Sequence, residues 1–350
     1  MMDVSDDPLL ESMLDAALAQ RAAAVYLCDG VASIRVDGRI EAFAALTGAQ
    51  IDAVIGGIQK RVGVTDLPWA RPFSHPHVQV LAYGAPTARG PRLTLRLRPL
   101  NRRPRRLSTL PLAPEARPAV DAILHGLRGL ILVVGPTGSG ITETLYALLD
   151  HVRSPDRAIL TMEDPIEYSI PGVSQVRHPR GGVAPFVQSA RGLLRQDPDV
   201  VMVDEIRARD EANVVVQCGL ASGPLTLAGM RAPSAPAAIR TFLEIGVEPI
   251  GLADALRGVI AQRLVRRLCD CAVPSPGVVG RAPVGCPACG HRGYRGRVGV
   301  LDWLPMTSAL HEQIVNGEIQ AACGLRRRGE ALVAEGATAQ AEIERFLPSV

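Results

Sequence analysis

Apolar and polar residues follow one kind of pattern in the first hundred residues and another farther along the chain. Residues 8–20 place apolar side chains at helical spacing. Residues 31–40, VASIRVDGRI, indicate two short strands around an Asp-Gly turn, and residues 91–100 alternate leucine with polar residues. These patterns predict a small α+β domain over residues 1–100.

From residue 120 onward, short apolar strands alternate with helical segments. The strand candidates are residues 130–134, 158–162, 200–203 and 224–228. Strands separated by helices pair in parallel, so the pattern predicts a doubly wound α/β sheet.

The segment 101–118 is rich in proline and arginine, and we interpret it as an extended linker. The second domain is therefore placed at residues 119–350. A length of 350 residues agrees with two domains, since one ordinary core seldom grows so large.

Composition and charge narrow the class of protein. The net charge is only +3, which gives no reason to expect a nucleic-acid partner. No apolar run approaches the roughly 20 residues that span a bilayer, and the acidic, amphipathic start is unlike a secretory signal. Four of the seven cysteines lie between residues 269 and 289, which suits a reducing compartment with a metal site. We therefore expect a cytoplasmic protein.

Residues 131–144, ILVVGPTGSGITET, hold a glycine-rich loop between a predicted strand and a predicted helix. The spacing is that of a phosphate-binding loop, but Ile141 stands at the lysine position. Backbone N–H groups of such a loop hold phosphate, and the hydroxyl of Thr142 is placed to reach Mg²⁺. Without the lysine, contact to the terminal phosphates is lost, and Glu143 adds a negative charge nearby. The alternative is a plain glycine turn that no longer supports catalysis.

The loop residues that we predict to contact the nucleotide are consecutive: Gly135, Pro136, Thr137, Gly138, Ser139, Gly140, Ile141, Thr142 and Glu143. The ligand that we expect at these residues is ATP with Mg²⁺. Only one lysine, Lys60, occurs in the chain. A substitute for the missing loop lysine must therefore be Lys60 or an arginine from elsewhere in the fold or from a neighbouring subunit.

Two acidic pairs follow predicted strands. Glu163 and Asp164 come just after residues 158–162, and Asp204 and Glu205 come just after residues 200–203. Ligands of open α/β sheets bind outside the carboxyl ends of the strands, so both pairs can face the glycine-rich loop. Carboxylates there hold Mg²⁺ or polarise the attacking water. If only one of the two pairs were present, we would interpret its residues as helix caps or as solvated acidic residues.

Four cysteines form a CxC…CxxC pattern with fourteen residues between the pairs: Cys269, Cys271, Cys286 and Cys289. Four thiolates on a tetrahedral Zn²⁺ form a standard structural site. Only one residue separates Cys269 from Cys271, so we expect a strained metal geometry or the loss of one ligand. Four independent buried cysteines are the alternative.

Several longer stretches resemble the secretion ATPases of type II secretion systems and type IV pili. They are GPTGSGITET, EDPIEY, LLRQDPDVVMVDEIR, IAQRLVRRLC and GYRGRVGVLDWLPM. The resemblance implies a PAS-like N-terminal domain and a RecA-like P-loop NTPase domain, with a cysteine subdomain at about 266–297 and a C-terminal helical segment. It also implies a hexameric ring of this chain or a paralogue. Such a ring would lie peripherally on the inner membrane and contact a platform protein there.

The same resemblance assigns roles to single residues. Glu205 and Glu163 are the expected catalytic carboxylates. Asp164, Arg207 and Arg96 are expected beside the nucleotide.

Four elements that would face phosphate depart from the family pattern: Ile141 for the loop lysine, Asp204 for a glycine, Pro224 and Arg231 for two histidines, and Gln79 for an arginine. Our leading hypothesis is a ring subunit with impaired hydrolysis. One alternative is an active ATPase that uses an arginine in trans. Another is a scaffold that binds the platform protein without nucleotide.

Overall fold

The chain divides into two compact units, Met1–Arg102 and Arg103–Val350. The structure is a computed structural model that describes residues 7–43, 47–63, 67–100, 103–178, 183–220, 222–275 and 280–347. Each unit has its own apolar core.

In its described residues the first unit is an antiparallel sheet with two helices, which confirms the predicted hairpin and the predicted strand after residue 90. Its elements are α1 (Pro8–Ala19), β1 (Ala24–Cys28), β2 (Val31–Val36), β3 (Arg39–Ala42), α2 (Gly48–Val62), β4 (Trp69–Ser74), β5 (Val78–Thr87) and β6 (Gly90–Pro99). The strand order is β3-β2-β1-β6-β5-β4. The Asp7 carboxylate accepts hydrogen bonds from the first N–H groups of α1, which fixes where that helix begins.

The second unit alternates strands and helices as predicted. Its elements are α3 (Arg117–Gly126), β7 (Gly129–Gly135), α4 (Ile141–Val152), β8 (Ile159–Glu163), β9 (Ser174–Arg177), α5 (Val183–Leu194), β10 (Val200–Ile206), α6 (Arg209–Cys218), β11 (Leu225–Arg231), α7 (Ala235–Glu244), α8 (Pro249–Ala255), β12 (Leu256–Leu268), β13 (Val273–Pro274), β14 (Arg281–Ala282), β15 (Tyr294–Pro305), α9 (Ser308–Asn316), α10 (Leu325–Ala334) and α11 (Gln340–Phe346). Among the helices in the described ranges, none has the length and apolar character needed to cross a bilayer.

Seven strands form the main sheet in the order β15-β12-β7-β11-β10-β8-β9. All neighbours are parallel except β12 and β15. Both faces are covered, because Leu132 packs in one core whereas Val133 packs in the core beneath α4. Double coverage explains why these strands read as continuous apolar runs in the sequence.

The structure differs from the expected extended linker over residues 101–118. From residue 103 the chain belongs to the second unit, while residues 101–102 lie outside the described ranges. A short 3₁₀ turn at Leu107–Thr109 is followed by buried Leu110 and Leu112, and these leucines join the core beneath α4. The proline and arginine content indicated a solvated segment, but apolar burial decides its position.

Truncation of Leu112 tests whether the segment from residue 103 to residue 118 packs into the core of the second unit. Leu112 is 2% exposed, so Leu112→Ala is expected to lower the free energy of unfolding by about 2–5 kcal/mol. The matched control, Leu100→Ala, removes a side chain that is 51% exposed and should change it by less than about 0.5 kcal/mol. Urea denaturation of the full chain measures both. Equal, small effects would contradict the burial of this segment.

Candidate functional site

The glycine-rich loop joins β7 to α4, as the sequence predicts. Gly138 and Gly140 have φ values of +80° and +92°, in the left-handed region that glycine enters without strain. The N–H of Ser139 donates to the carbonyl of Pro136, and the N–H of Thr144 donates to the carbonyl of Gly140. The N-terminus of a 12-residue helix thus lies beside the carboxyl edge of the sheet, an arrangement that binds phosphate.

The predicted contact residues differ in exposure along the loop. Pro136, Thr137 and Gly138 are exposed at its tip, whereas Ser139 is buried. Thr142 and Glu143 lie half-buried in the first turn of α4. Glu143 lies near the phenol of Tyr168, which donates to its carboxylate at 3.5 Å.

Gln262 on β12 fastens this loop to α4, and sequence reasoning missed it. Its Nε2 donates to the carbonyl of Ser139 at 2.8 Å. Its Oε1 accepts from the hydroxyl of Thr144 at 2.7 Å. The side chain is buried, so both bonds are shielded from water. The available signal was a polar residue that directly follows the apolar run VIA.

Ile141, at the position of the missing lysine, packs against β11. A Cβ atom at Gly229 would lie 2.9 Å from Cγ2 of Ile141 and 2.1 Å from the carbonyl oxygen of Asp204. The absence of a side chain at Gly229 therefore allows α4 and the end of β10 to approach β11 closely. Ile141 joins the apolar core beneath α4 and brings no charge to the loop.

Glu163 ends β8 on the side of the sheet that α4 covers, and it is buried. Its carboxylate accepts hydrogen bonds from the hydroxyls of Tyr146 and Thr161 and from the amide of Gln175 at 3.0 Å. Burial, and then the charge of Glu163, raise the pKa of Tyr146 far above its usual range, so the phenol remains a donor. This cluster ties β8 to α4, and the catalytic role of Glu163 stays a prediction.

The other predicted carboxylates meet at the carboxyl edge of the sheet. The N–H of Asp164 donates to Oδ2 of Asp204 at 2.9 Å, and the carboxylate of Asp164 lies 3.8 Å from Nε of Arg177. They border a cleft of about 220 Å³ whose lining includes Glu205 and Arg207. The structure therefore brings these edge residues together, as the order of the strands requires.

Arginines hold both carboxylate oxygens of Glu205. Oε1 pairs with Nε of Arg231, and Oε2 pairs with Nη2 of Arg207. The Glu205 side chain is only 14% exposed. The sequence marked Arg231 as a departure from the family pattern, but its ion pair with Glu205 was not foreseen.

Arg96 lies on β6 of the first unit, and its place beside a nucleotide stays a prediction. Its guanidinium stands 5.4 Å from the centroid of the Tyr83 ring.

The four cysteines of the CxC…CxxC pattern converge, so the alternative of four independent cysteines is wrong. All four Sγ atoms lie within 4.8 Å of one another. Three of the Sγ–Sγ distances are 3.8 Å for Cys286–Cys289, 3.9 Å for Cys269–Cys286 and 4.0 Å for Cys271–Cys289. Sulfur atoms bound to one tetrahedral Zn²⁺ stand about 3.8 Å apart. All four sulfur atoms are close enough to share one ion, so the residues fit a metal, and the expected strain at the CxC pair stays a prediction.

Burial and local hydrogen bonds give the thiols of Cys289 and Cys271 different pKa values. Burial opposes the thiolate of Cys289, but the N–H groups of Cys286 and Gly293 donate to its sulfur, and its pKa falls to about 6. Burial raises the pKa of Cys271 to about 12. A bound cation would replace this uneven titration with four thiolates.

The glycine-rich loop, the parallel sheet and the edge carboxylates define a P-loop NTPase fold. The family model described as "Type II/IV secretion system protein" matches residues 75–345. The chain belongs to that family.

Two curated relatives are type II secretion system proteins. HxcR of Pseudomonas aeruginosa is 40% identical over 271 residues, which are 74% of this chain and 57% of the relative. Protein E of Pectobacterium carotovorum subsp. carotovorum is 39% identical over 265 residues, which are 71% of this chain and 51% of the relative. The chain thus spans about half the length of the curated relatives it matches.

Two solved structures share the fold across nearly the whole chain. The pilus retraction motor PilT, solved with bound ADP, has a TM-score of 0.68 at 22% identity and covers 97% of both chains. The ATPase DotB of Legionella pneumophila has a TM-score of 0.71 at 17% identity and covers 99% of this chain and 97% of its own. At these identities the likeness shows the fold.

Replacing Gln262 tests how the loop is held. Gln262→Ala leaves the Ser139 carbonyl and the Thr144 hydroxyl without their buried partner, so we expect a loss of about 1–3 kcal/mol in the free energy of unfolding. Gln217→Ala on the exposed face of α6 is the matched control and should change it by less than about 0.5 kcal/mol. Chemical denaturation measures both variants. A Gln262→Ala variant as stable as its control would contradict the described contacts.

Proposed function

We propose that this protein is a nucleotide-binding ring subunit of a type II secretion or type IV pilus machine in which ATP hydrolysis is weak or absent. The observation that carries the proposal is the pairing of Glu205 with two arginines. A carboxylate that activates water needs an oxygen available to that water. Here a guanidinium already engages each oxygen, and Ile141 removes the charge that would stabilise phosphoryl transfer.

Nucleotide would bind at the carboxyl edge of the sheet. Backbone N–H groups of residues 135–143 would hold the phosphates, and the hydroxyl of Thr142 would contact Mg²⁺. Asp164 and Arg207 line the same edge and would lie beside the nucleotide. Mg²⁺ supplies charge neutralisation between phosphates when it is bound.

The family supports a wider assignment for the protein. We propose a hexameric ring of this chain or of this chain with a paralogue, bound peripherally to the inner membrane from the cytoplasm through a platform protein. The first unit would have the PAS-like role, with Arg96 reaching a nucleotide in a neighbouring copy. Membership of the secretion family and the relatives named as type II secretion proteins support this assignment.

We also propose that the cysteine cluster holds Zn²⁺. The spacing of the four Sγ atoms supports it, and four thiolates leave no coordination position for substrate. The ion would therefore be structural.

The purified protein is expected to contain about one zinc ion per chain, as measured by atomic emission spectroscopy. Cys271→Ser removes one ligand and should lower both the zinc content and the thermal stability, since metal binding and folding are linked. Cys323→Ser, at an exposed cysteine outside the cluster, is the matched control and should change neither. Full stability without any bound metal would rule out the zinc assignment.

Phosphate release tests the impaired hydrolysis. The wild-type protein should release phosphate at least about 10²-fold more slowly than the ~10 s⁻¹ typical of enzymes. Ile141→Lys alone should give less than about a tenfold gain, because Glu205 remains paired with both arginines. Ile141→Lys combined with Arg231→His should release phosphate faster than either single variant.

Two controls make this experiment specific. Ile141→Met changes the side chain without adding a charge, and Glu205→Gln reveals release by a contaminating enzyme. Wild-type turnover near 10 s⁻¹ that Glu205→Gln abolishes would favour an active ATPase and overturn the proposal. Absence of nucleotide binding would instead favour a scaffold.

A further inference from the structure

Arg231 ends the strand beside the glycine-rich loop. β11 pairs in parallel with β7, and Arg231 lies opposite Gly135, the first glycine of the loop. The backbone of Arg231 therefore lies directly beside the start of the glycine-rich loop.

The direction of the Arg231 side chain is fixed by the pleat of β11. Alternate residues of a strand point to the same face. Leu227 packs in the core beneath α4, whereas Ala228 packs on the opposite face. Gly229 and Arg231 continue the row of Leu227, and Gly229 lies against Ile141. Arg231 is thus the next side chain along the loop side of the sheet, directly beyond the space that Ile141 fills.

The ion pair with Glu205 leaves Arg231 capable of a second contact. The pair uses Nε, and a guanidinium has two further nitrogen atoms that carry N–H donors. The Arg231 side chain is 57% exposed, whereas Glu205 is 14% exposed. Glu205 therefore anchors one side of the guanidinium while the other side faces outward. Such a guanidinium is suited to bind two phosphate oxygens at once.

We propose that Arg231 supplies, within the same chain, the cation that Ile141 removes from the loop, and that it binds the terminal phosphate of ATP. The inference rests on the proposed nucleotide-binding function and extends it. Positive charge has moved from the first residue of α4 to the end of β11. Glu205 then positions this arginine rather than activating water, which agrees with weak hydrolysis.

Affinity for ATP compared with ADP tests the inference. Isothermal titration calorimetry with Mg²⁺ at fixed ionic strength would compare the wild-type protein with Arg231→Gln. We expect ATP to bind roughly 10- to 100-fold more weakly to the variant, because a charged hydrogen bond to the terminal phosphate is lost. ADP lacks that phosphate and should bind almost unchanged. Arg191→Gln, an exposed arginine on α5, is the matched control and should leave both affinities unaltered.

A second background separates contact with phosphate from simple neutralisation of Glu205. If Arg231 only cancels the charge of Glu205, Arg231→Gln costs nothing once Glu205 is also changed to Gln. The amide oxygen of a glutamine at position 205 can still accept from Nε of Arg231 and hold it in place, so the inference predicts that the tenfold or greater loss for ATP persists in the Glu205→Gln background. Arg231→Lys keeps the charge and should retain part of the preference for ATP.

The outcomes distinguish the inference from the function on which it rests. If the wild-type protein binds neither nucleotide, the proposed function fails and this inference fails with it. If both nucleotides bind but Arg231→Gln weakens neither, or weakens both equally, the role of Arg231 is wrong and the nucleotide site remains. Loss of the ATP effect in the Glu205→Gln background also overturns the role of Arg231.

Discussion

The close approach of α4 to β11 sets the geometry of the whole candidate site. Any side chain at Gly229 would collide with Ile141 on one side and with the carbonyl of Asp204 on the other. Three elements therefore meet at Gly229: the first turn of α4, the end of β10, and β11 itself. Gln262 fixes the same turn from β12. Position 141 lies between β11 and the loop, so the chemical character of its side chain decides whether that position serves the core or the phosphate site.

The charges around this contact form a consistent set. Glu205 is mostly buried beside a loop suited to anions, where an unpaired carboxylate would be costly and would repel phosphate. Arg231 and Arg207 offset that charge. The exchange of a loop lysine for Ile141 and the presence of Arg231 on the next strand are thus better understood together than as separate losses. Under the proposed function, they would together keep a cation at the edge of the sheet and prevent the Glu205 carboxylate from acting as a general base.

Much of the fold could be predicted because its signals are local. Apolar runs indicated the parallel strands, and loop spacing indicated the strand-to-helix turn at Gly135–Gly140. The four cysteines were also readable from their spacing. Contacts that depend on strand order were not readable: Gln262 reaches Thr144 across 118 positions. Nor could a strand-end position alone show that Glu163 turns toward α4, because the covering helix fixes which face is interior. The burial of Leu112 could not be predicted either, because the proline and arginine content of its segment indicated a solvated linker.

The cysteine cluster and the loop are connected through a single strand. Ala261 of β12 pairs with Val134 at the end of β7, and Gln262 follows immediately. β12 then continues beside β15 as far as the pair Leu268–Tyr294, where the N–H of Cys269 donates to the carbonyl of Gly293. A cation on the four thiolates would hold the far ends of β12 and β15 together. Because Gln262 lies on that same ladder, a rigid ladder limits movement of the amide that fastens the loop. A structural metal can thus support the phosphate site without touching it.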